Sequence, residues 1–130
     1  MARYFTVDDA NGLLPTIAPI LESLKSLRER MVHIAGAVAD FELLASGNGH
    51  GHDSEALKPE NDMRGLRDEI RKHLRFLDEM GIQVKDIEHG IVDFPARMFG
   101  REILLCWRLG EESVSHWHDV DSGFSGRQPL

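Results

Sequence analysis

The amino-acid sequence predicts an α+β protein, in which a long antiparallel helical hairpin is followed by a small antiparallel β-meander. In the first half of the chain, apolar residues recur every three or four positions, as they do along the contact line of two helices packed lengthwise. After Gly81 apolar and polar residues alternate, which is the period of a strand with one buried face. We therefore expect helices up to about residue 80 and strands after it.

The first apolar repeat predicts a short helix and then a long one. Thr6 and Asp9 have the spacing of a capping box, so a helical turn is expected to start there. A glycine and two prolines within residues 12–19 favour a break, because proline disrupts a helix interior. We expect the long helix to begin near Pro15 and to end at about Ala45. Its apolar positions are Leu13, Ile17, Ile20, Leu24, Leu27, Met31, Ile34, Val38 and Phe41.

A second helix is predicted from near Pro59 to Met80, after a turn-rich connection over residues 46–59. Proline suits the first position of a helix, and Gly81 suits the position just past its end. Since the two helices are joined by a short connection, they should form an antiparallel hairpin over about residues 13–80. The apolar positions of this helix are Met63, Leu66, Ile70, Leu74 and Leu77.

The unequal lengths of the two helices raise the question of what covers the longer one. About 30 helical residues span roughly 45 Å, against roughly 33 Å for about 22 residues. The surplus apolar positions must be buried against something else. We expect a homodimer formed through the hairpin, with the C-terminal sheet as the alternative cover.

Four short strands are predicted over about residues 82–118, followed by a docked tail over residues 119–130. The segments are "IQVKD", "IVDFPARM", "REILLCWRL" and "SVSHWHD". If Phe99 and Gly100 form a two-residue turn, Asp93 lies opposite Cys106 and each opposed pair shares a face. The face toward the helices then carries Val92, Phe94, Ala96, Ile103, Leu105 and Trp107, and the other face carries Asp93, Arg97, Glu102, Cys106 and Arg108.

Composition narrows the class of protein. A chain of 130 residues has the size of one domain, so we treat residues 1–130 as a single unit. One cysteine excludes an internal disulfide, and the N-terminal residues lack the pattern of a secretory leader, so we expect a cytoplasmic protein. No apolar run approaches the roughly 20 residues of a membrane span. A net charge of −7 makes a nucleic-acid partner unfavourable.

The last predicted strand carries a candidate metal site. His116 and His118 project to one face of the strand, and Trp117 projects to the other. If Trp117 faces the helices, both histidines join Asp93 and Cys106, a donor set that suits zinc or another divalent transition metal. A shift of one residue would disperse the set. Burial of the tryptophan favours the first register. The alternative is a polar sheet face with an unliganded cysteine.

Two arginines suggest a different function. Arg108 and Arg127 are candidates for binding an anion, Arg127 together with the glycine amides of "GFSGRQP". Cys106 next to a histidine and Asp93 also has the composition of a thiol nucleophile with its base. We nevertheless favour a binding or assembly module, because the centre of a sheet that is covered by little except solvent or a partner chain makes a poor pocket. A small metal- or thiol-dependent enzyme that acts on an anionic small molecule remains the alternative.

Several stretches of the chain resemble a family of small bacterial proteins of unknown function. They are "YFTVDDANGLLP" at residues 4–15, "DFPA" at 93–96, "GREILLCWRLGE" at 100–111 and "WHDVDSGFSGRQPL" at 117–130. The resemblance supports the fold and the cytoplasmic location but implies no reaction. His116 does not resemble a position of the family's motifs. The resembling stretches include Asp93, Cys106, Arg108, Glu111, Trp117, His118 and Arg127.

Overall fold

A computed structural model describes the backbone of residues 3–45 and 53–130, and the side chains of residues 3–37 and 59–130. Helix α1 covers Val7–Ala45 and begins at the predicted capping box. The Thr6 amide donates to Asp9 Oδ2 and the Asp9 amide donates to Thr6 Oγ1, both at 3.0 Å. These hydrogen bonds lower the pKa of Asp9 below its usual 3.8.

Helix α1 is continuous, so the predicted short helix and break before Pro15 are wrong. Both Pro15 and Pro19 are exposed, which places the carbonyl groups that lose their amide donors on the solvent side of the helix. Leu14, Ile17 and Leu21 are buried on the opposite side. Burial of such side chains contributes about 2 kcal/mol each. This packing offsets the roughly 3 kcal/mol that an interior proline costs.

Helix α2 covers Asp53–Glu79 and therefore begins earlier than the predicted start near Pro59. The residues before that proline include glutamate, alanine, leucine and lysine, whose helix propensity outweighs the turn-forming character of the connection. Residues 46–52 of the predicted connection lie outside the described residues. Gly81, with φ of 88°, ends the helix as predicted, and the Ile82 amide donates to the Leu77 carbonyl at 3.0 Å.

Five strands form one antiparallel sheet in the order β1-β2-β3-β4-β5. Their bounds are Gln83–Asp86, Ile91–Met98, Arg101–Arg108, His116–Asp119 and Gln128–Pro129, and a 3₁₀ turn, η1, covers Phe124–Gly126. The β2–β3 register is the predicted one, with Asp93 opposite Cys106 and Val92 opposite Trp107. Phe99 and Gly100 both have positive φ, as a two-residue hairpin turn requires. Strand β5, which has two residues, was not predicted from the sequence.

The main core lies between the helical hairpin and one face of the sheet, which we call the inner face. The predicted apolar face of β2 and β3 forms this inner face, together with Trp117 of β4. It packs against Ala10, Leu14, Ile17, Leu21 and Leu24 of α1. The sheet therefore covers the N-terminal half of α1, which was the second of the two expected covers. No helix within the described residues has the length and apolarity of a membrane span.

Strand β4 adopts the register that buries Trp117. Trp117 lies opposite Leu105, and His116 and His118 lie opposite Cys106 and Leu104. Val114, which precedes the strand, is buried in the main core. The strand begins only at His116, so its alternation does not extend back to Val114. The Val114 amide donates instead to the side chain of Asn11 in α1 at 2.7 Å.

Candidate metal centre

Asp93, Cys106 and His118 converge on the outer face of the sheet, the face opposite the helices. They lie on β2, β3 and β4, so three adjacent strands each contribute one donor. A carboxylate oxygen, the thiol sulfur and an imidazole nitrogen all lie within 4.8 Å of one another. The three residues are exposed by only 1%, 0% and 1%. We call them the buried triad.

The hydrogen bonds of His118 define which of its ring nitrogens faces Asp93. His118 Nδ1 lies 2.8 Å from the backbone oxygen of Asp119, and because a carbonyl oxygen only accepts, Nδ1 carries a proton. His118 Nε2 lies 3.0 Å from Asp93 Oδ1. A proton must lie between these two atoms, since an unprotonated nitrogen and a carboxylate oxygen would both be acceptors. The ring is thereby oriented with Nε2 toward the other donors.

The environment of Cys106 holds its thiol in the protonated form. Burial, followed by the nearby Asp93 carboxylate, raises the pKa of the Cys106 thiol from 9.0 to about 12. A thiolate is the nucleophilic form of cysteine, and this site disfavours it at neutral pH. The predicted outer face was a polar, solvated surface, yet Ile91, Leu104 and the triad are buried on it. The polar residues of the two strand ends, such as Arg97 and Glu102, are the exposed ones.

His116 shares the outer face with the triad but lies apart from it. Its side chain is 33% exposed, and its Nδ1 lies 3.0 Å from Ser115 Oγ and 3.9 Å from Glu111 Oε2. Of the four predicted metal ligands, the structure therefore brings together Asp93, Cys106 and His118. Alternation along the strand placed His116 on the correct face but could not give the direction of its ring.

The two arginines that were predicted to bind an anion both contact Glu111, but through different groups. The Arg108 side chain is exposed, whereas Arg127 Nη2 donates to both carboxylate oxygens of Glu111 at 3.0 and 2.9 Å. Glu111 Oε1 also accepts from the Arg108 amide at 2.7 Å. No role of Glu111 was predicted from the sequence. Its place in a turn, sixteen residues from Arg127, gives no periodic pattern that would have indicated the pair.

A second group of possible ligands lies in the turn after β1. Asp86 Oδ2 lies 2.8 Å from His89 Nδ1, and Asp86 Oδ1 accepts from the His89 amide at 3.0 Å. These bonds lower the pKa of Asp86. His89 and the neighbouring Glu88 are exposed. The hydrogen bonds between Asp86 and His89 stabilise the turn, and this role explains why the group is there.

These features define a small α+β protein with a helical hairpin on one face of a sheet and a buried polar triad on the other. The family model described as "Uncharacterized conserved protein (DUF2203)" matches residues 3–130, so the chain belongs to this family. The match confirms the predicted membership of an uncharacterized family. No curated protein and no solved structure matches the chain.

Proposed function

We propose that this protein is a binding module for a divalent transition metal, held by Asp93, Cys106 and His118. The observation that carries the proposal is the burial of three different donor groups within 4.8 Å of one another. Carboxylate, thiolate and imidazole are the ligands of protein zinc sites, and the mixed set suits a cation of intermediate softness. Zinc is the metal that fits this set best.

Charge balance supports the same proposal. A buried carboxylate and a buried thiolate are each costly without a compensating charge. A divalent cation balances both, because two negative ligands and one neutral imidazole sum to zero with it. Metal binding would release the thiol proton of Cys106 and the proton between His118 and Asp93. Affinity should therefore rise with pH.

The orientation of His118 supports the proposal further. Metal-binding histidines commonly donate their second ring N–H to a backbone carbonyl or a carboxylate, which fixes the ring. His118 Nδ1 makes such a bond to the Asp119 carbonyl, and Nε2 points toward Asp93. The three donors leave a fourth coordination position for water or another ligand.

Elemental analysis of protein purified without an affinity tag tests the metal site. We expect about one zinc per chain in the wild type and loss of that zinc in His118→Ala. His89→Ala is the matched control, because His89 also bonds to an aspartate but is exposed. Circular dichroism verifies that each variant is folded. Metal-free wild-type protein after reconstitution with zinc would refute the proposal.

The alternative function is an enzyme that acts on an anionic small molecule. A pKa of about 12 for Cys106 disfavours a thiol nucleophile, and the Arg127 guanidinium already binds Glu111. These observations make a binding module the better proposal. A free thiol that reacts with iodoacetamide at neutral pH as fast as an unfolded control would favour the enzyme instead.

We also propose that the protein forms a homodimer through its helical hairpin. We place this dimer in the cytoplasm and propose that it has no nucleic-acid partner. Val32 of α1 is 57% exposed and Phe76 of α2 is 45% exposed, so each helix of the hairpin has an apolar side chain that a second chain would bury. Sedimentation velocity at micromolar concentration should show twice the 14.7 kDa chain mass, and Phe76→Ser should shift it toward the monomer. A wild-type protein that sediments only as a monomer would contradict this.

A further inference from the structure

The C-terminal tail, residues 120–130, turns back after β4 and ends beside it. The Ser122 amide donates to the Asp119 carbonyl at 3.1 Å and starts the turn. Strand β5 then pairs with β4, with Pro129 opposite His116 and Gln128 opposite Trp117. The Leu130 amide donates to the Ser115 carbonyl at 2.9 Å. The tail is therefore attached along the strand that carries His118.

One ion pair links the tail to the region of Cys106. Arg127 Nη2 contacts both oxygens of Glu111, and the Arg127 guanidinium lies over the Phe124 ring at 4.6 Å. His116 lies opposite Cys106 in the β3–β4 register, and Glu111 Oε2 lies 3.9 Å from His116 Nδ1. Burial and Asp93 have the larger effects on the pKa of Cys106, and the charges of Arg127 and Glu111 also act on it. The Arg127 side chain is only 14% exposed. The ion pair is therefore close to the residue that lies opposite Cys106 in the sheet.

The tail contributes little burial of its own. Every residue in 120–130 is described, and each is either exposed or only half-buried. Strand β5 has two residues. Among the described residues, the buried Arg127 Nε–H finds no acceptor, which weakens the closed arrangement. Segments with few buried apolar contacts open at a lower free energy than the whole domain.

We propose that the tail is a strap, closed by the Arg127–Glu111 ion pair, whose local opening gives access to Cys106 and controls how fast a metal enters and leaves the triad. The control of metal exchange rests on the proposed metal site. The need for an opening at Cys106 does not rest on the metal site. Cys106 is 0% exposed and lies on the sheet face without helices, so any reagent needs an opening to reach it. A metal ion that reaches it must therefore displace the chain beside it.

The accessibility of Cys106 in the metal-free protein tests the strap directly. We expect Arg127→Gln to increase the rate of reaction with the thiol reagent DTNB about tenfold or more, since charge-assisted hydrogen bonds to Glu111 are lost. Glu111→Gln should act in the same direction while retaining an acceptor for the Arg108 amide. Arg28→Gln is the control, because it breaks an exposed ion pair with Glu88 elsewhere. Equal rates in all four proteins would overturn the proposal.

Denaturant separates local opening from global unfolding. If the strap opens locally, the wild-type labelling rate should be nearly independent of urea at low concentrations and rise only near the unfolding transition. A rate that follows the full urea dependence of unfolding from the start would mean that Cys106 is reached only by global unfolding. That result would overturn the strap even if the variants label faster.

Zinc release distinguishes failure of the strap from failure of the metal site. From zinc-loaded protein, Arg127→Gln should release zinc to a coloured chelator faster than the wild type, by a factor similar to that of thiol labelling. Faster labelling without any bound zinc would support the strap and refute the metal site. Bound zinc with an unchanged rate of release would refute control by the strap and leave the metal site standing.

Discussion

Cys106 is the residue at which the chemistry of this protein can be tested most simply, because it is the single cysteine of the chain. Its sulfur lies next to Asp93 and within 4.8 Å of a nitrogen of His118. Without a metal, burial and the Asp93 carboxylate keep it a thiol, with the pKa raised to about 12. Any signal from a thiol or thiolate therefore reports on this one position.

The raised pKa of Cys106 makes the stability of the metal-free protein depend on pH. The unfolded thiol loses its proton near pH 9.0, whereas the folded thiol retains it to about 12, so folding is favoured most below pH 9. We expect the free energy of unfolding of the wild type, relative to Cys106→Ser, to fall by roughly 1 kcal/mol per pH unit above pH 9. Urea unfolding of both proteins between pH 8 and 10.5 measures this. A constant difference would contradict the assigned environment.

Among the secondary-structure elements, the β-hairpins depend on two glycines in different surroundings. Gly90 has φ of 66°, and a Cβ at this position would lie 2.6 Å from Leu109 Cβ. The Leu109 amide donates to the Gly90 carbonyl at 2.9 Å, which holds the two residues together. Gly100 has a similar φ of 72°, but a Cβ there would meet no heavy atom of the described chain within 4 Å.

The two glycines allow backbone strain to be separated from steric overlap. Gly100→Ala should cost about 1 kcal/mol, the strain of a left-handed backbone in a residue with a side chain. Gly90→Ala should cost more, about 2 to 4 kcal/mol, because the overlap with Leu109 adds to the same strain. Thermal unfolding of both variants measures the difference. Equal losses would show that Leu109 moves away at no cost.

The elements also show which features of the fold follow from local sequence. The β2–β3 register was predictable because the Phe99–Gly100 turn determines which residues face one another. The continuity of α1 was not predictable from local sequence, because it depends on burial against a sheet that lies more than 70 residues later in the chain. Strand β5 is too short for any alternation to be recognised.

At the scale of the whole molecule, the two faces of the sheet have different roles. The inner face packs against the helices, while the outer face buries the triad. Strand alternation predicted that Asp93, Cys106 and His118 share a face. Their burial could not be predicted, because no local pattern in the sequence indicates what covers the outer face.

The proposed metal centre can be tested by titrating the metal-free protein with Co²⁺, a spectroscopic substitute for zinc. We expect one Co²⁺ per chain and a thiolate-to-cobalt charge-transfer band in the near ultraviolet. The band should be absent in Cys106→Ser, weakened or absent in Asp93→Ala, and unchanged in His89→Ala. Since the chain has one cysteine, the band identifies Cys106 as the ligand. A wild-type protein that binds Co²⁺ without this band, or does not bind it, would contradict the metal centre.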